Sequence, residues 1–445
     1  NSSLKDAVGA FVSAFVEDYH YVVVDLPNEM DDVVLEALTQ SDAVHLITAN
    51  RKRDLELIRR VVDRLEAKLS GRFREEKIRV IVRESPSKGY VAFEEIRKQI
   101  DYGVYSVLPN IQQKELSDRV DVQSLVFLRS HHRSEYARAV TRIARQIGGV
   151  SIGLALGGGA ALGLAHIGVL RVLEEEDIPI DMVVGSSMGA VVGGLWAIGR
   201  TSDEIAAIAH EFDPRFSKLK LLDPPLIPIS GFIRGQGLRR WLRKHFGAKT
   251  FYDVRLPLKV VACDLIKRRD LIIDSGPIAD AIFKSAAIPG VVRPIEESDK
   301  LIIDGGILNP LPSDVLAAHG IKKIIGVNVL QSPEDVAQGF ELMKKQLKEK
   351  EEIPFRKAPW HFVTFRIGRA FLKLFNPNIT DIIIRTLQAT EYVISEQNAQ
   401  QTDVLIHPDL VGIKWYQIDK VDDLIRRGEE AARKHLSEIK KLMAD

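Results

Sequence analysis

Apolar and polar positions along this chain follow two alternating patterns. Short continuous apolar runs of strand length are separated by longer stretches with helical spacing, as in a sheet buried on both faces and covered by helices. In residues 1–146 the runs fall at Tyr21–Asp25, Ala43–Ile47, Ile78–Val82 and Val104–Leu108. Helical stretches follow at Asp54–Leu69 and Phe93–Tyr102. Strands alternating with helices predict a small parallel α/β unit. From Val150 the pattern strengthens. Strands are predicted at 152–156, 180–184, 258–263, 270–274, 300–303, 323–329 and 403–406. Helices are predicted from the 157–163 turn to 176, and at 190–198, 202–212, 236–246, 277–285, 380–397 and 421–443.

Residues 152–170 and 180–199 are long and mostly apolar, but each changes from strand to helix pattern midway. They read as buried βα units rather than membrane spans. The charge run 342–352 reads as a solvated helix face. Leu221–Ile229 and Trp360–Phe375 carry large apolar side chains. The second mixes them with Arg366, Arg369 and Lys373, which suits either a core element or an amphipathic helix lying on a membrane. No internal repeat or low-complexity tract is present.

Composition changes this picture little. The chain has 445 residues, 45% hydrophobic and 28% charged, enough for two domains with real cores. Its 62 basic and 61 acidic residues balance to +1, which gives nucleic acid no basic face to bind. The single cysteine, Cys263, excludes an internal disulfide and a cysteine zinc site, and suits a reducing compartment such as the cytoplasm. His131-His132 has no acid or cysteine at metal spacing and reads as surface. The chain begins at Asn1, as a fragment or a processed product would.

The chemistry concentrates in three places. Gly185-Ser-Ser-Met-Gly189 stands between a strand and a helix, so Ser187 is flanked by residues that allow a sharp turn. A hydroxyl presented at a helix N-terminus in this way is a candidate acyl-transfer nucleophile. Gly157-Gly-Gly159 opens the preceding helix and can converge backbone N–H groups on an anion. A dinucleotide loop is excluded by Leu162 at the third glycine position, and a phosphate loop by Leu164 where lysine is required. An oxyanion hole remains. For the base, two options stay open. One is a histidine after an acid, from His319, His407 or His435. The other is Asp304, at a strand end before Gly305 and Gly306 with apolar neighbours able to raise its pKa.

Four segments in order, Gly157-Gly-Gly-Ala-Ala-Leu-Gly-Leu-Ala-His-Ile-Gly-Val-Leu170, Gly185-Ser-Ser-Met-Gly189, Ser285-Ala-Ala-Ile-Pro-Gly290 and Asp304-Gly-Gly306, resemble the patatin-like phospholipases, particularly bacterial relatives of neuropathy target esterase. The resemblance implies a three-layer α/β domain over 150–445 with a mainly parallel central sheet. It implies Ser187 as nucleophile, Asp304 as proton acceptor, and the N–H groups of Gly157, Gly158 and Gly159 as the oxyanion hole. The Ser285–Gly290 turn would line the site, and no cofactor or metal would be needed. Many such proteins carry arginine where this chain has Leu162.

Residues 1–146 resemble the C-terminal half of MinD/ParA-type ATPases, a Rossmann-like α/β domain. Asp25 would match the acid ending the second nucleotide-site strand, and Val107-Leu-Pro-Asn110 a loop near the base. The chain contains no phosphate loop, so the domain would be partial or degenerate. The expectation is a serine lipid acyl hydrolase of phospholipase A or lysophospholipase type. It would be cytoplasmic, with a lipid substrate and a peripheral contact at the inner face of the membrane. The alternatives are a histidine-dependent α/β-hydrolase, a nucleotide-responsive regulatory protein and a membrane adaptor. Oligomeric state is not legible.

Overall fold

The structure is a computed structural model. It describes residues 10, 13–15, 18–27, 31–69, 77–84, 91–100, 102, 104–109, 134–212, 235–351 and 379–444. The backbone divides into two compact units, Asn1–Ser151 and Ile152–Asp445.

The first unit runs α1 (Asp32–Gln40), β1 (Val44–Ala49), α2 (Lys52–Leu69), β2 (Ile78–Arg83), α3 (Phe93–Ile100), β3 (Val104–Leu108) and α4 (Glu135–Ile147). Asp31 starts α1 by accepting from the amides of Val33 and Val34, which otherwise lack partners in a first turn. The three strands pair in parallel in the order β1-β2-β3. Leu55, Ile58, Val62 and Leu65 put one stripe of α2 into the core beside Val80 and Val82.

Tyr21–Asp25 is not the strand its pattern predicts. Residues 21–27 form no ladder, and Val23 is 84% exposed. A short apolar run satisfies the strand pattern, but a strand needs a partner edge, and among the described residues none pairs with it. Asp25 therefore ends no strand here. Asn110, in the other segment of the MinD/ParA resemblance, lies outside the described residues.

In the second unit the order is β4 (Ile152–Leu156), α5 (Ala165–Glu175), β5 (Met182–Ser186), α6 (Met188–Ala197), α7 (Ser202–Ala209), α8 (Gln236–Phe246), β6 (Leu258–Asp264), β7 (Arg269–Ile273) and α9 (Ile278–Ser285). It continues with β8 (Ile295–Glu297), β9 (Lys300–Asp304), α10 (Ser313–Ala318), β10 (Lys323–Val327), α11 (Pro333–Glu351), α12 (Ile379–Ala399), β11 (Val404–Ile406), α13 (Val421–Lys434) and α14 (Leu436–Ala444). The sheet order is β11-β10-β4-β5-β6-β9-β8, with β7 also on β6. Strands β11, β10, β4, β5 and β6 are mutually parallel, while β7, β9 and β8 add antiparallel pairs.

Alternation along the central strands separates two cores. Leu154, Leu156, Val183 and Val260 join one apolar cluster with α5, α6, α8, α9 and α13. Ala155, Val184 and Val261 join another with Val315 and Leu316 of α10. Successive side chains point to opposite faces, so helices cover both sides of the sheet in three layers. No helix among the described residues is long and apolar enough to cross a membrane. The short β8 carried no sequence signal, and the predicted helix 421–443 is two helices that break at His435.

One feature of the sheet brings two distant strand ends together. β7 takes one edge of β6 over Val260–Asp264. β5 and β9 must then share the other edge end to end: β5 parallel along Leu258–Val261, β9 antiparallel along Ala262–Asp264. They run toward each other, and their C-terminal residues meet opposite Val261 and Ala262. Ser186 and Asp304 are those residues.

Candidate active site

The turn after β5 is as sharp as its glycines suggest. A Cβ on Gly185 would sit 2.5 Å from the Ala190 nitrogen, and one on Gly189 would sit 2.1 Å from the Leu156 carbonyl oxygen. Only glycine permits those approaches. Between them Ser187 adopts φ 52° and ψ −120°, a conformation that side chains rarely take. Its amide donates to Ser285 Oγ at 2.8 Å, and Ser285 Oγ donates to the Val261 carbonyl at 2.5 Å. The end of α9 thus pins the turn to β6.

Ser187 Oγ donates to Asp304 Oδ2 at 2.6 Å, and the Gly306 amide donates to Asp304 Oδ1 at 2.7 Å. Both side chains are buried. Gly305 lets the chain leave β9 against β6, since a Cβ there would lie 2.2 Å from the Val261 carbonyl oxygen. Burial pushes the Asp304 carboxyl up to about 6, although the bonds from Ser187 and Gly306 oppose the rise. A carboxylate with that proton affinity, bonded to a hydroxyl, can take the hydroxyl proton near neutral pH.

The glycine run lies beside Ser187, but its three amides differ. Gly157 N–H donates to the Val327 carbonyl at 3.0 Å and Gly158 N–H to the Pro310 carbonyl at 2.8 Å. These two are engaged by the fold. Among the described residues nothing accepts from the Gly159 amide or from that of Ala160, which follows at φ 49°. Gly158, Gly159 and Ala160 line one pocket with Ser187 and Asp304. Beneath the run, His166 Nε2 donates to the Gly157 carbonyl at 2.8 Å. Burial lowers that imidazole to about 4, so it is neutral. Leu162 is buried in the larger core, where an arginine would need a partner for its charge.

The remaining predicted positions separate. Ile288 and Pro289 of the Ser285–Gly290 turn line the pocket, whereas Ser285 acts from below. None of the three candidate histidines lines it. His319 bonds to the Val315 carbonyl, His407 lies 3.6 Å from Asp335, and His435 bonds to Glu438. His131-His132, Leu221–Ile229 and Trp360–Phe375 fall outside the described residues. No cluster of His, Cys, Asp or Glu among the described residues could hold a metal ion.

Sequence reasoning missed Ala160, Trp415 and Glu391. Trp415 lines the pocket, and its carbonyl accepts from the Ala161 amide at 2.9 Å. Glu391 enters from α12, and a Cβ on Gly306 would lie 3.5 Å from Glu391 Oε1 and 3.1 Å from Asp304 Oδ1. Leu387, Glu391, Ser395 and Asn398 share a helical face, but no pattern in the sequence marks that polar face as the inward one.

Residues 154–317 match the family model described as patatin-like phospholipase. An NTE family protein of Mycobacterium bovis is 40% identical over 178 residues, 40% of this chain and 49% of the relative. An NTE family protein of Mycobacterium tuberculosis is 28% identical over 308 residues, 68% of this chain and 49% of the relative. A protein of Mycosarcoma maydis named lysophospholipase NTE1 is 34% identical over 204 residues, 45% of this chain and 10% of that much longer protein. The chain spans about half the length of the mycobacterial relatives it matches.

Proposed function

We propose that this chain is a serine lipid acyl hydrolase, a phospholipase A or lysophospholipase, working through a Ser–Asp dyad. The observation that carries the reading is the 2.6 Å bond from Ser187 Oγ to Asp304 Oδ2. The family match over 154–317 supports a lipid ester as the substrate class.

Ser187 Oγ attacks the ester carbonyl carbon as its proton passes to Asp304 Oδ2. The carbonyl electron pair moves onto oxygen, and the amides of Gly159 and Ala160 hold that oxyanion. Gly157 and Gly158 serve differently. Their amides tie the loop to Val327 and Pro310 and so fix where the next two amides stand. Collapse of the intermediate breaks the bond to the alcohol oxygen, which leaves with the proton from Asp304. Water then attacks the acyl-enzyme, gives its proton to Asp304, and the acid departs as Ser187 recovers its hydrogen. The carboxyl acts as base and acid in turn, so no histidine is needed.

The substrate is lipid presented at a membrane surface, and Trp360–Phe375 is the segment whose composition suits that contact. The deciding experiment incubates a panel of phospholipids and lysophospholipids with wild type and Ser187→Ala, reading products by mass spectrometry. Fatty acid release by wild type and none by the variant is expected. Equal release by both would remove the dyad reading. Separately, replacing the apolar residues of 360–375 by serine is expected to weaken vesicle binding and spare hydrolysis of a soluble p-nitrophenyl ester. Unchanged vesicle binding would exclude the membrane role.

A further inference from the structure

Glu391 is a carboxyl that the dyad chemistry does not use, yet it faces the dyad. It stands on the α12 face that lines the pocket, together with Leu387 and Gln388. Its own helix is held firmly. One turn on, Ser395 Oγ accepts from Asn328 Nδ2 at 3.1 Å. Further along, Asn398 Nδ2 donates to Asn309 Oδ1 at 2.8 Å and to the Leu311 carbonyl at 3.0 Å, while Ser313 Oγ donates to the Asn398 carbonyl at 2.6 Å. These bonds lock α12 to the end of β10 and to the chain that follows the dyad aspartate. The position of Glu391 over Gly306 is therefore built into the fold.

We propose that Glu391 acts through Asp304 as a second carboxyl of the site, its charge opposing that of Asp304 and so driving Asp304 to accept the Ser187 proton. The inference rests on the dyad reading and adds a positioning residue to it. Two carboxyls withdrawn from bulk water over one glycine cannot both ionise freely. When Ser187 attacks, Asp304 becomes neutral, and the repulsion between the two is relieved in the transition state rather than in the ground state. An interaction that improves at that moment accelerates the step.

No cation among the described residues that line the pocket cancels the effect. Among the described residues that line the pocket, Asp304 and Glu391 are the only carboxyls, and no lysine, arginine or histidine joins them. On α12, Tyr392 lies toward Glu396, Glu334 and Asp335. On α10, Asp314 is engaged by Asn309 Nδ2. Burial, and secondarily the nearby Asp304 charge, push the Glu391 carboxyl up to about 7.

The test compares Glu391→Gln and Glu391→Asp with wild type in the pH profile of kcat/KM for a soluble p-nitrophenyl ester. Glu391, at about 7, is neutral while Asp304 loses its proton near 6, so the wild-type profile is expected to rise a second time as Glu391 ionises. Glu391→Gln should lose that upper step, with activity at pH 8 several-fold lower. Glu391→Asp should restore most of both. A purely structural role would lower activity equally on both sides of pH 7, so an upper step retained in Glu391→Gln overturns the inference. The same titration is read without turnover by difference infrared spectroscopy of the carboxyl bands, with Asp304→Asn assigning the Asp304 signal. If wild-type hydrolysis survives in Ser187→Ala, the dyad reading falls. The infrared midpoint of Glu391, assigned with Glu391→Gln, then still decides: a midpoint that Asp304→Asn does not lower overturns the coupling.

Discussion

Two strand-to-helix junctions stand side by side in the second unit, and they are built in opposite ways. After β4 the chain passes through Gly157-Gly158-Gly159 and delays α5 by a short turn at Ala160–Leu164. After β5 it passes through one serine and begins α6 at once. The first junction is tied from three sides, through Val327, Pro310 and His166. The second has its amide tied once, to Ser285, and its hydroxyl turned to Asp304. In the proposed mechanism the tied junction holds donors still, while the strained one presents the reacting atom. Their different hydrogen bonding suits an oxyanion site and a nucleophile respectively.

The largest effect should come from the strained junction. Ser187→Ala is expected to lower kcat for a p-nitrophenyl ester by about 10⁴-fold or more with the fold intact by circular dichroism. Asp304→Asn should lower it by about 10³-fold or more, since an amide cannot take the proton. This variant also separates function from stability. The folded Asp304 holds its proton up to about 6 instead of the usual 3.8, so wild type loses stability as pH rises through that window. Asp304→Asn should unfold at higher denaturant than wild type at pH 8, by about 1–3 kcal/mol, and the gain should shrink toward pH 4. A variant destabilised more at pH 8 than at pH 4 would mean that the carboxylate is held by more bonds than burial costs it.

The tied junction should respond more weakly and through structure. A Cβ on Gly159 would sit 2.6 Å from Val329 Cγ2, a stiff β-branched side chain. Gly159→Ala is therefore expected to lose about 1–3 kcal/mol and roughly 10²-fold in kcat as its amide shifts. A Cβ on Gly158 meets Ser187 Cβ at an ordinary 3.4 Å, so Gly158→Ala should fold normally. If Gly159→Ala kept full kcat, the oxyanion contact would have to move to other donors.

These junctions also show how much the sequence could reveal. Gly185, Ser187, Gly189 and the three glycines are local patterns, and the strands around them are continuous apolar runs, so both the three-layer core and the turn geometry were readable. Asp304 was readable as a strand-end acid, but its meeting with Ser187 depends on β5 and β9 sharing one edge of β6, which no local spacing encodes. The two engaged glycine amides were equally hidden, because their acceptors come from Val327 and Pro310, far along the chain. Glu391 was hidden for a third reason: on a long helix an acid reads as solvated until tertiary packing turns it inward. Tyr21–Asp25 failed in the other direction, satisfying a strand pattern without a partner.

The smallest prediction tests the strain itself. Ser187 sits at φ 52° and ψ −120°, where only glycine is comfortable, whereas Ala160 in the tied junction has φ 49°. Replacing Ser187 by glycine or by alanine removes the same hydroxyl and the same bond to Asp304. The two variants then differ mainly in backbone freedom, with glycine relieving the strain but losing more entropy on folding. If strain outweighs that entropy, Ser187→Gly should be more stable than Ser187→Ala by about 1 kcal/mol in urea unfolding. Ala160→Gly should gain about 1 kcal/mol or less, since Ala160 also carries a positive φ. An equal gain at both sites would place equal strain in the two junctions. A glycine at 187 no more stable than alanine would mean that the turn is held without strain, and that Ser187 owes its exposure to the glycines on either side.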